Sequence, residues 1–116
     1  MSFIAEQDRD QLRGEFEKLV HPVKLVLFVD DENCTYCSET RQLLEEIASL
    51  SLKITLETYH METDRAKASE FQIDKVPATV VMDGKDYGIR YFGIPAGYEF
   101  GSLIDDILDV SKGESG

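Results

Sequence analysis

The chain has two cysteines, and both lie in the segment Cys34-Thr35-Tyr36-Cys37. Such a Cys-x-x-Cys pair is typical either of a dithiol that is reversibly oxidised or of half a metal site. A zinc site takes about four ligands, and beyond the thiols the sequence offers only His21, His60 and carboxylates in no Cys/His spacing pattern. The residues therefore favour redox chemistry and predict no metal. A zinc or iron–sulfur half-site and an inert structural pair are the alternatives.

The flanking sequence predicts that the cysteine pair lies where a strand ends and a helix begins. Val23 to Val29 is an apolar run interrupted only by Lys24, which is typical of a strand buried on both faces. Downstream, apolar residues recur at helical spacing, namely Leu43, Leu44, Ile47 and Leu50. A helix N-terminus carries unpaired N–H groups and a partial positive charge, which lower the pKa of a nearby thiol. We therefore expect Cys34 to be the exposed attacking thiol and Cys37, one turn further on, to be the resolving thiol.

Hydrophobic periodicity predicts a single α/β domain over residues 1–110 and a polar tail or linker over residues 111–116. A leading helix over about 5–20 is indicated by Leu12, Phe16, Leu19 and Val20. The predicted strands are 23–29, 52–59, 78–82 and about 88–92. The predicted helices run from the cysteines to about 50 and from 63 or 64 to 71, and a last helix buries Phe100, Leu103, Ile104, Ile107 and Leu108.

The connections between these elements predict the sheet. A right-handed crossover makes the first two strands parallel, and the tight turn at Asp83-Gly84 makes the last two antiparallel. The expected architecture is a four-stranded mixed sheet in the order βαβαββα, flanked by helices and preceded by an extra helix.

Composition restricts the partners. The chain of 116 residues has a formal net charge of −11, which argues against nucleic acid and anionic membrane surfaces. No apolar segment approaches the ~20 residues of a membrane span, and the segment from Met1 to Arg13 is too polar for a signal peptide. We therefore expect a cytoplasmic protein, and in that compartment a Cys-x-x-Cys is more often catalytic or metal-binding than structural.

Three coupled features make the chain resemble the thioredoxin superfamily over essentially its whole length. They are the Cys34–Cys37 pair at the first strand-to-helix junction, Val76-Pro77 just before the third strand, and Gly93 after the fourth. The resemblance implies the thioredoxin fold and a thiol–disulfide oxidoreductase that acts on protein disulfides or dithiols without an organic cofactor. It also implies a cis peptide between Val76 and Pro77 facing the cysteines.

The same resemblance suggests the substrate contacts. The cis proline would expose the Val76 backbone for pairing with a substrate peptide and keep metal away from the thiols, whereas a trans Pro77 would merely open a strand. Tyr36 either packs beside the disulfide and contacts substrate or is an exposed aromatic without a required function. Tyr36, Val76 and Pro77 are therefore the predicted substrate-binding residues.

Within the superfamily, the chain resembles some groups more than others. Tyr36 before the second cysteine is similar to glutaredoxins, but the segment from Tyr91 to Phe100 most resembles the N-terminal unit of the two-unit protein disulfide oxidoreductases of thermophilic archaea and bacteria. The N-terminal domain of the bacterial alkyl-hydroperoxide reductase flavoprotein is a related arrangement. These proteins imply an upstream reductase and either a second thioredoxin-fold unit or self-association. The alternatives are a non-catalytic interaction unit docked on a second unit and a glutathione-dependent glutaredoxin.

Some residues depart from these families. Asn33 and Thr35-Tyr36 stand where thioredoxins have Trp and Gly-Pro, and Phe28 stands where they have a buried acid. The run Asp30-Asp31-Glu32 replaces the basic residue with which glutaredoxins bind glutathione, which argues against glutathione recognition. These carboxylates would also raise the pKa of the Cys34 thiol if they face its sulfur.

The sequence predicts no specific function for the two histidines or for the aromatic residues near the C-terminus. His21 and His60 are expected to be ordinary surface residues, because neither falls near the cysteines along the chain. Tyr91, Phe92 and Phe100 are expected to be core residues.

Overall fold

The computed structural model describes residues 4–30, 34–95 and 98–112. Its elements are α1 (Glu6–Phe16), β1 (Val23–Val29), α2 (Cys37–Ser49), β2 (Ile54–His60), α3 (Arg65–Glu70), β3 (Ala78–Met82), β4 (Asp86–Phe92) and α4 (Tyr98–Ser111). The strands form one four-stranded sheet in the order β2-β1-β3-β4. β1 is parallel to β2, whereas β3 is antiparallel to both β1 and β4. The predicted βαβαββα order and mixed sheet are confirmed.

The central strand β1 is covered on both faces, which explains why all of its residues except Lys24 are apolar. Leu25 and Leu27 pack in one cluster with residues of α1, α2 and α4, which we call the large cluster. Val26 and Phe28 point to the opposite face and pack with Ala68 of α3 in a second, small cluster. Side chains alternate along a strand, so apolar residues at successive positions from Leu25 to Val29 supply both clusters at once.

The leading helix ends earlier than expected. α1 stops at Phe16, and the N–H groups of Lys18 and Leu19 bond the carbonyls three residues back, each at 3.1 Å. These bonds tighten the last turn and turn the chain out of the helix. Leu19 is still buried, but Val20, expected on the buried face, is 56% exposed.

The start of β2 was also predicted too early. The strand begins at Ile54, and Leu52, expected inside it, is fully exposed. The Ser51 hydroxyl accepts the Lys53 N–H at 3.1 Å, and the Ser51 carbonyl accepts the Ile54 N–H at 3.3 Å. This local turn delays the start of the strand to Ile54.

The last helix buries most of the apolar residues predicted for it, but residues near its two ends differ from the prediction. Leu103, Ile104 and Ile107 are buried as expected, and Val110 is buried as well. Phe100 and Leu108 only pack against the large cluster as partly buried residues. The helix also includes Ser111, one residue beyond the expected domain boundary, whereas residues 113–116 of the expected tail lie outside the described residues.

Phe92 is not a core residue. It pairs with Ala78 and therefore lies on the same face as the small cluster, but it is 45% exposed. α3, which covers this face, has 6 residues and packs on β2, at the far side of the sheet from β4. The helix is too short to cover the end of β4. Within the described ranges no helix is long and apolar enough to cross a membrane.

Candidate functional site

Three parts of the chain meet at one end of the sheet, where β1 and β2 end and β3 begins. Val29, the last residue of β1, pairs with His60, the last residue of β2. Phe28 pairs with Ala78, the first residue of β3, so the preceding Pro77 lies at the same edge. The cysteine segment follows β1 directly. The topology therefore brings the cysteines, His60 and Val76-Pro77 to one end of the sheet.

The two cysteines are joined in a disulfide. Their Cα atoms are 5.6 Å apart, within the ~4.4–6.8 Å that disulfides span. Cys37 is 7% exposed and belongs to the large cluster, whereas Cys34 is partly buried and only packs against that cluster. The first cysteine is thus the more accessible of the two. That difference agrees with the exposure expected for each thiol, and their chemical roles stay predictions.

The helix after the disulfide begins at Cys37 and not at Cys34. Tyr36 is its N-cap, with φ −122° and ψ 17°, and the Thr40 N–H donates the first helical hydrogen bond to the Tyr36 carbonyl at 2.9 Å. The Tyr36 side chain makes no capping hydrogen bond. The first-turn N–H groups have no intrahelical acceptor and carry the positive end of the helix dipole. Since the disulfide joins the two sulfurs, both lie beside this terminus, which favours a thiolate there.

The peptide between Val76 and Pro77 is cis, as the resemblance implied. Pro77 is buried, and its carbonyl accepts the Gly93 N–H at 2.9 Å, which ties the start of β3 to the end of β4. Gly93 has a φ of +82°, a value that favours glycine. Val76 is partly buried and, like Cys34, packs against the large cluster. Tyr36 is 49% exposed. The substrate-binding roles of Tyr36, Val76 and Pro77 stay predictions.

A cavity of about 210 Å³ opens beside the second cysteine. It is lined by Val29, Asp30, Cys37, Ser38, Arg41 and His60. The expectation that His60 lies far from the cysteines is therefore wrong. β2 runs parallel to β1, so the last residues of the two strands lie side by side. The predicted parallel crossover already implied that His60 lies near the cysteines, because it brings the C-terminal ends of both strands to one end of the sheet.

Charges of both signs surround this cavity, which we call the Cys37 cavity. Asp30 lines it, and a carboxylate near a thiol disfavours the thiolate. Arg41 lines it from α2, and its guanidinium Nε is 3.6 Å from a Glu45 carboxylate oxygen. Asp31, Glu32 and Asn33, also singled out by the sequence, lie outside the described residues. Of the predicted acidic run, Asp30 is the member that the structure places at the site.

Size alone does not locate the site. A larger cavity of about 520 Å³ lies beside α1, lined by Ile4, Ala5, Glu6, Arg9 and Arg13. It offers no thiol or imidazole, so the chemistry of the lining residues favours the smaller cavity. Across residues 4–30, 34–95 and 98–112 no group of three or more His, Cys, Asp or Glu side chains could hold a metal ion.

The clearest pKa shifts lie away from the cysteines. Burial and a hydrogen bond from its hydroxyl to Asp106 raise the pKa of Tyr91 well above its ordinary value. The hydrogen bond that Tyr59 donates at 2.8 Å lowers the pKa of Glu57, and an ion pair with Lys24 at 3.2 Å lowers it further. These groups join elements of the fold and take no part in the site.

Known proteins are similar to this chain in sequence and in overall fold. Residues 23–105 match the Thioredoxin domain family. The alkyl hydroperoxide reductase protein AhpF of Pseudomonas aeruginosa is 33% identical over 102 residues, which are 88% of this chain and 17% of that protein. The chain thus spans less than a fifth of the curated relative.

Two solved structures are similar over nearly the whole chain. The NTD_N/C domain of alkylhydroperoxide reductase AhpF from Enterococcus faecalis is 39% identical with a TM-score of 0.86, and the match covers 94% of this chain and 53% of that one. A protein disulfide oxidoreductase from Aeropyrum pernix is 31% identical with a TM-score of 0.86, covering 97% of this chain and 50% of that one. In both cases the match corresponds to about half of the longer chain.

Proposed function

Because the chain belongs to the Thioredoxin domain family, we propose that it is a thiol–disulfide oxidoreductase unit that exchanges disulfides with protein substrates. One observation carries the proposal. The Cys34–Cys37 disulfide stands at the N-terminus of α2, and its first cysteine is partly exposed whereas its second is buried. This arrangement supplies an attacking thiol and a resolving thiol within one turn of chain.

The proposed reduction of a substrate runs in two exchanges. The Cys34 thiolate attacks one sulfur of the substrate disulfide, forms a mixed disulfide and releases the other substrate sulfur as a thiolate, which takes up a proton. The Cys37 thiolate then attacks the Cys34 sulfur, which closes the Cys34–Cys37 disulfide and releases the second substrate thiol. Two electrons pass from the dithiol to the substrate. The reverse sequence oxidises a substrate dithiol.

The substrate would lie across the end of the sheet that carries the cysteines. Pro77 is buried and has no N–H, while Val76 before it is partly exposed at the same edge as Cys34. A peptide that pairs with the Val76 backbone would place its sulfur at Cys34. Tyr36, half exposed beside the disulfide, offers an apolar contact to the same peptide.

The second candidate is an interaction unit that docks on another thioredoxin-fold unit. The observation that favours it is length, because the chain covers 53% and 50% of the two solved relatives described above. In this reading the second unit or an upstream reductase exchanges electrons with the disulfide, or performs the catalysis alone. The two candidates differ in whether this chain by itself reduces a protein disulfide.

The deciding experiment is the reduction of insulin by dithiothreitol, followed as turbidity, with this chain alone. We expect the wild type to accelerate precipitation, and both Cys34→Ser and Cys37→Ser to lose the acceleration. In a separate reaction without dithiothreitol, which would reduce mixed disulfides, only Cys37→Ser retains the attacking thiol without the resolving one and should accumulate a mixed disulfide with insulin. The two serine variants thus serve as each other's control.

Three results would count against the proposal. A wild type no faster than dithiothreitol alone would favour the interaction unit. Mixed disulfides trapped by Cys34→Ser would reverse the roles of the thiols. Turnover that required glutathione would favour the glutaredoxin alternative.

A further inference from the structure

We propose that His60 accepts the proton of the Cys37 thiol when that thiol resolves the mixed disulfide. The inference rests on the proposed function and adds a residue to its second step. Cys37 is 7% exposed and must lose a proton before it can attack. Histidine is the side chain that exchanges a proton most readily near neutral pH. His60 lies in the lining of the Cys37 cavity, together with the sulfur-bearing residue.

The alternation of side chains along β2 places His60 on the face of the sheet that Cys37 packs against. Along β2, Leu56 packs against the large cluster, whereas Tyr59 packs against the small cluster on the other face. Side chains alternate along a strand, so His60 lies on the same face as Leu56, the face that α2 covers. Its partner in the sheet is Val29, which also belongs to the large cluster. The imidazole thus shares a face with Cys37.

The cavity gives the proton a path. A volume of about 210 Å³ has room for several water molecules at ~30 Å³ each. A general base acts at hydrogen-bond distance or through one water, and the polar lining supplied by Ser38 and Asp30 can hold such a water. The proton of Cys37 moves to the imidazole as the thiolate attacks the Cys34 sulfur. The bond from Cys34 to the substrate breaks, and the leaving thiolate takes a proton from the solvent or from the imidazolium.

Charged groups line the cavity with His60 or contact the residues around it. Asp30 lines the cavity after β1, and Arg41 lines it from α2, where it pairs with Glu45. On the α3 side, an Asp64 carboxylate oxygen accepts the His60 backbone N–H at 2.9 Å. A substitution that changes only the imidazole leaves these four charges in place. His60→Gln is therefore the appropriate variant.

The test isolates the second exchange. Reduced protein is mixed with 5,5′-dithiobis(2-nitrobenzoate), and two releases of thionitrobenzoate are followed by stopped flow: attack by Cys34 first, resolution by Cys37 second. A thiol of pKa about 8.5 is only about 3% ionised near pH 7, so a base can accelerate resolution by up to about 30-fold. We expect His60→Gln to slow the second release about 10-fold near pH 7 and to leave the first release unchanged.

The matched control is His21→Gln, because His21 is exposed and precedes β1 at the opposite end of that strand. It should leave both releases unchanged. The deficit of His60→Gln should shrink as pH rises through the range in which the Cys37 thiol ionises unaided. In His60→Ala, added imidazole should restore the second release, which a merely structural role of the residue would not allow.

The outcomes separate the inference from the proposed function. Equal rates and equal pH profiles for the wild type and His60→Gln would overturn the role of His60 while leaving the oxidoreductase intact. So would a slow His60→Ala variant that imidazole fails to restore. A wild type that shows no second release would instead overturn the proposed function and the inference with it.

Discussion

Cys34 and Cys37 are three positions apart, yet their surroundings differ. Cys37 is 7% exposed within the large cluster, and apolar surroundings raise the pKa of a thiol. Cys34 is more accessible and lies beside the unsatisfied N–H groups at the start of α2, which favour its thiolate. The two sulfurs of one disulfide should therefore behave as unlike thiols after reduction.

We predict that iodoacetamide labels Cys34 at least about 10-fold faster than Cys37 in the reduced native protein near pH 7, because accessibility and thiolate content both favour Cys34. Mass mapping of tryptic peptides after timed quenching measures the two rates. In guanidinium chloride the rates should become nearly equal, which is the control for intrinsic reactivity. Faster labelling of Cys37 in the folded protein would reverse the assigned roles.

The site could be predicted from sequence only where its parts are local. Cys34 and Cys37 are neighbours in sequence, and the resemblance identified Pro77 from its place before a strand. His60 was missed because its distance from Cys37 is set by the pairing of Val29 with His60, a contact between residues far apart in the chain. Distance along the chain is a poor guide to distance in space after a parallel crossover, because the crossover brings the C-terminal ends of both strands to the same end of the sheet.

At the scale of elements, a side-chain hydrogen bond joins the edge strand to the last helix. The Tyr91 hydroxyl of β4 donates to a carboxylate oxygen of Asp106 in α4. Burial is the main reason that the pKa of Tyr91 is raised, and the bond to Asp106 adds to it. The neutral phenol is thus favoured in the native state, so the native protein holds this proton to higher pH than the unfolded chain does.

This shift predicts a stability change in alkaline solution. Tyrosine in the unfolded chain ionises near pH 10, so the contribution of Tyr91 is fully present below about pH 10 and is lost as pH rises above it. We expect the free energy of unfolding in urea to fall as pH rises above about 10, and the fall to be smaller in Tyr91→Phe. Tyr36→Phe, on an exposed ring, should retain the wild-type fall. An equal fall in Tyr91→Phe would show that the shift is absent.

Element boundaries were predictable where the hydrophobic pattern decides them and not where turns do. β1 and β3 have their predicted bounds, because each is mostly apolar and lies in the middle of the sheet, with Lys24 and Thr79 as the polar exceptions. The end of α1 and the start of β2 were misplaced because backbone and serine hydrogen bonds fix them, as at Ser51. The apolar residues Val20 and Leu52 beyond those turns are exposed, so apolar character alone extended both elements too far.

At the scale of the whole molecule, Ser111 ties the last helix to the segment that leads into the first strand. Its hydroxyl oxygen accepts the Val20 N–H at 2.6 Å and the His21 N–H at 3.0 Å, and its hydroxyl donates to the His21 carbonyl at 3.0 Å. The residue is fully buried. Elements some ninety residues apart in sequence are thereby held together beside the central strand, which no local pattern in the sequence revealed.

We predict that Ser111→Ala lowers the free energy of unfolding by about 1–3 kcal/mol, because the hydrogen bonds between the Ser111 hydroxyl and the backbone of Val20 and His21 are lost. The midpoint of urea unfolding measures the change, and an unaltered slope with denaturant would show that the native fold is retained. The matched control is Ser102→Ala, an exposed position in the same helix, which should stay within about 0.5 kcal/mol of the wild type. Equal midpoints for the two variants would mean that the junction between α4 and the segment before β1 is held by apolar packing alone.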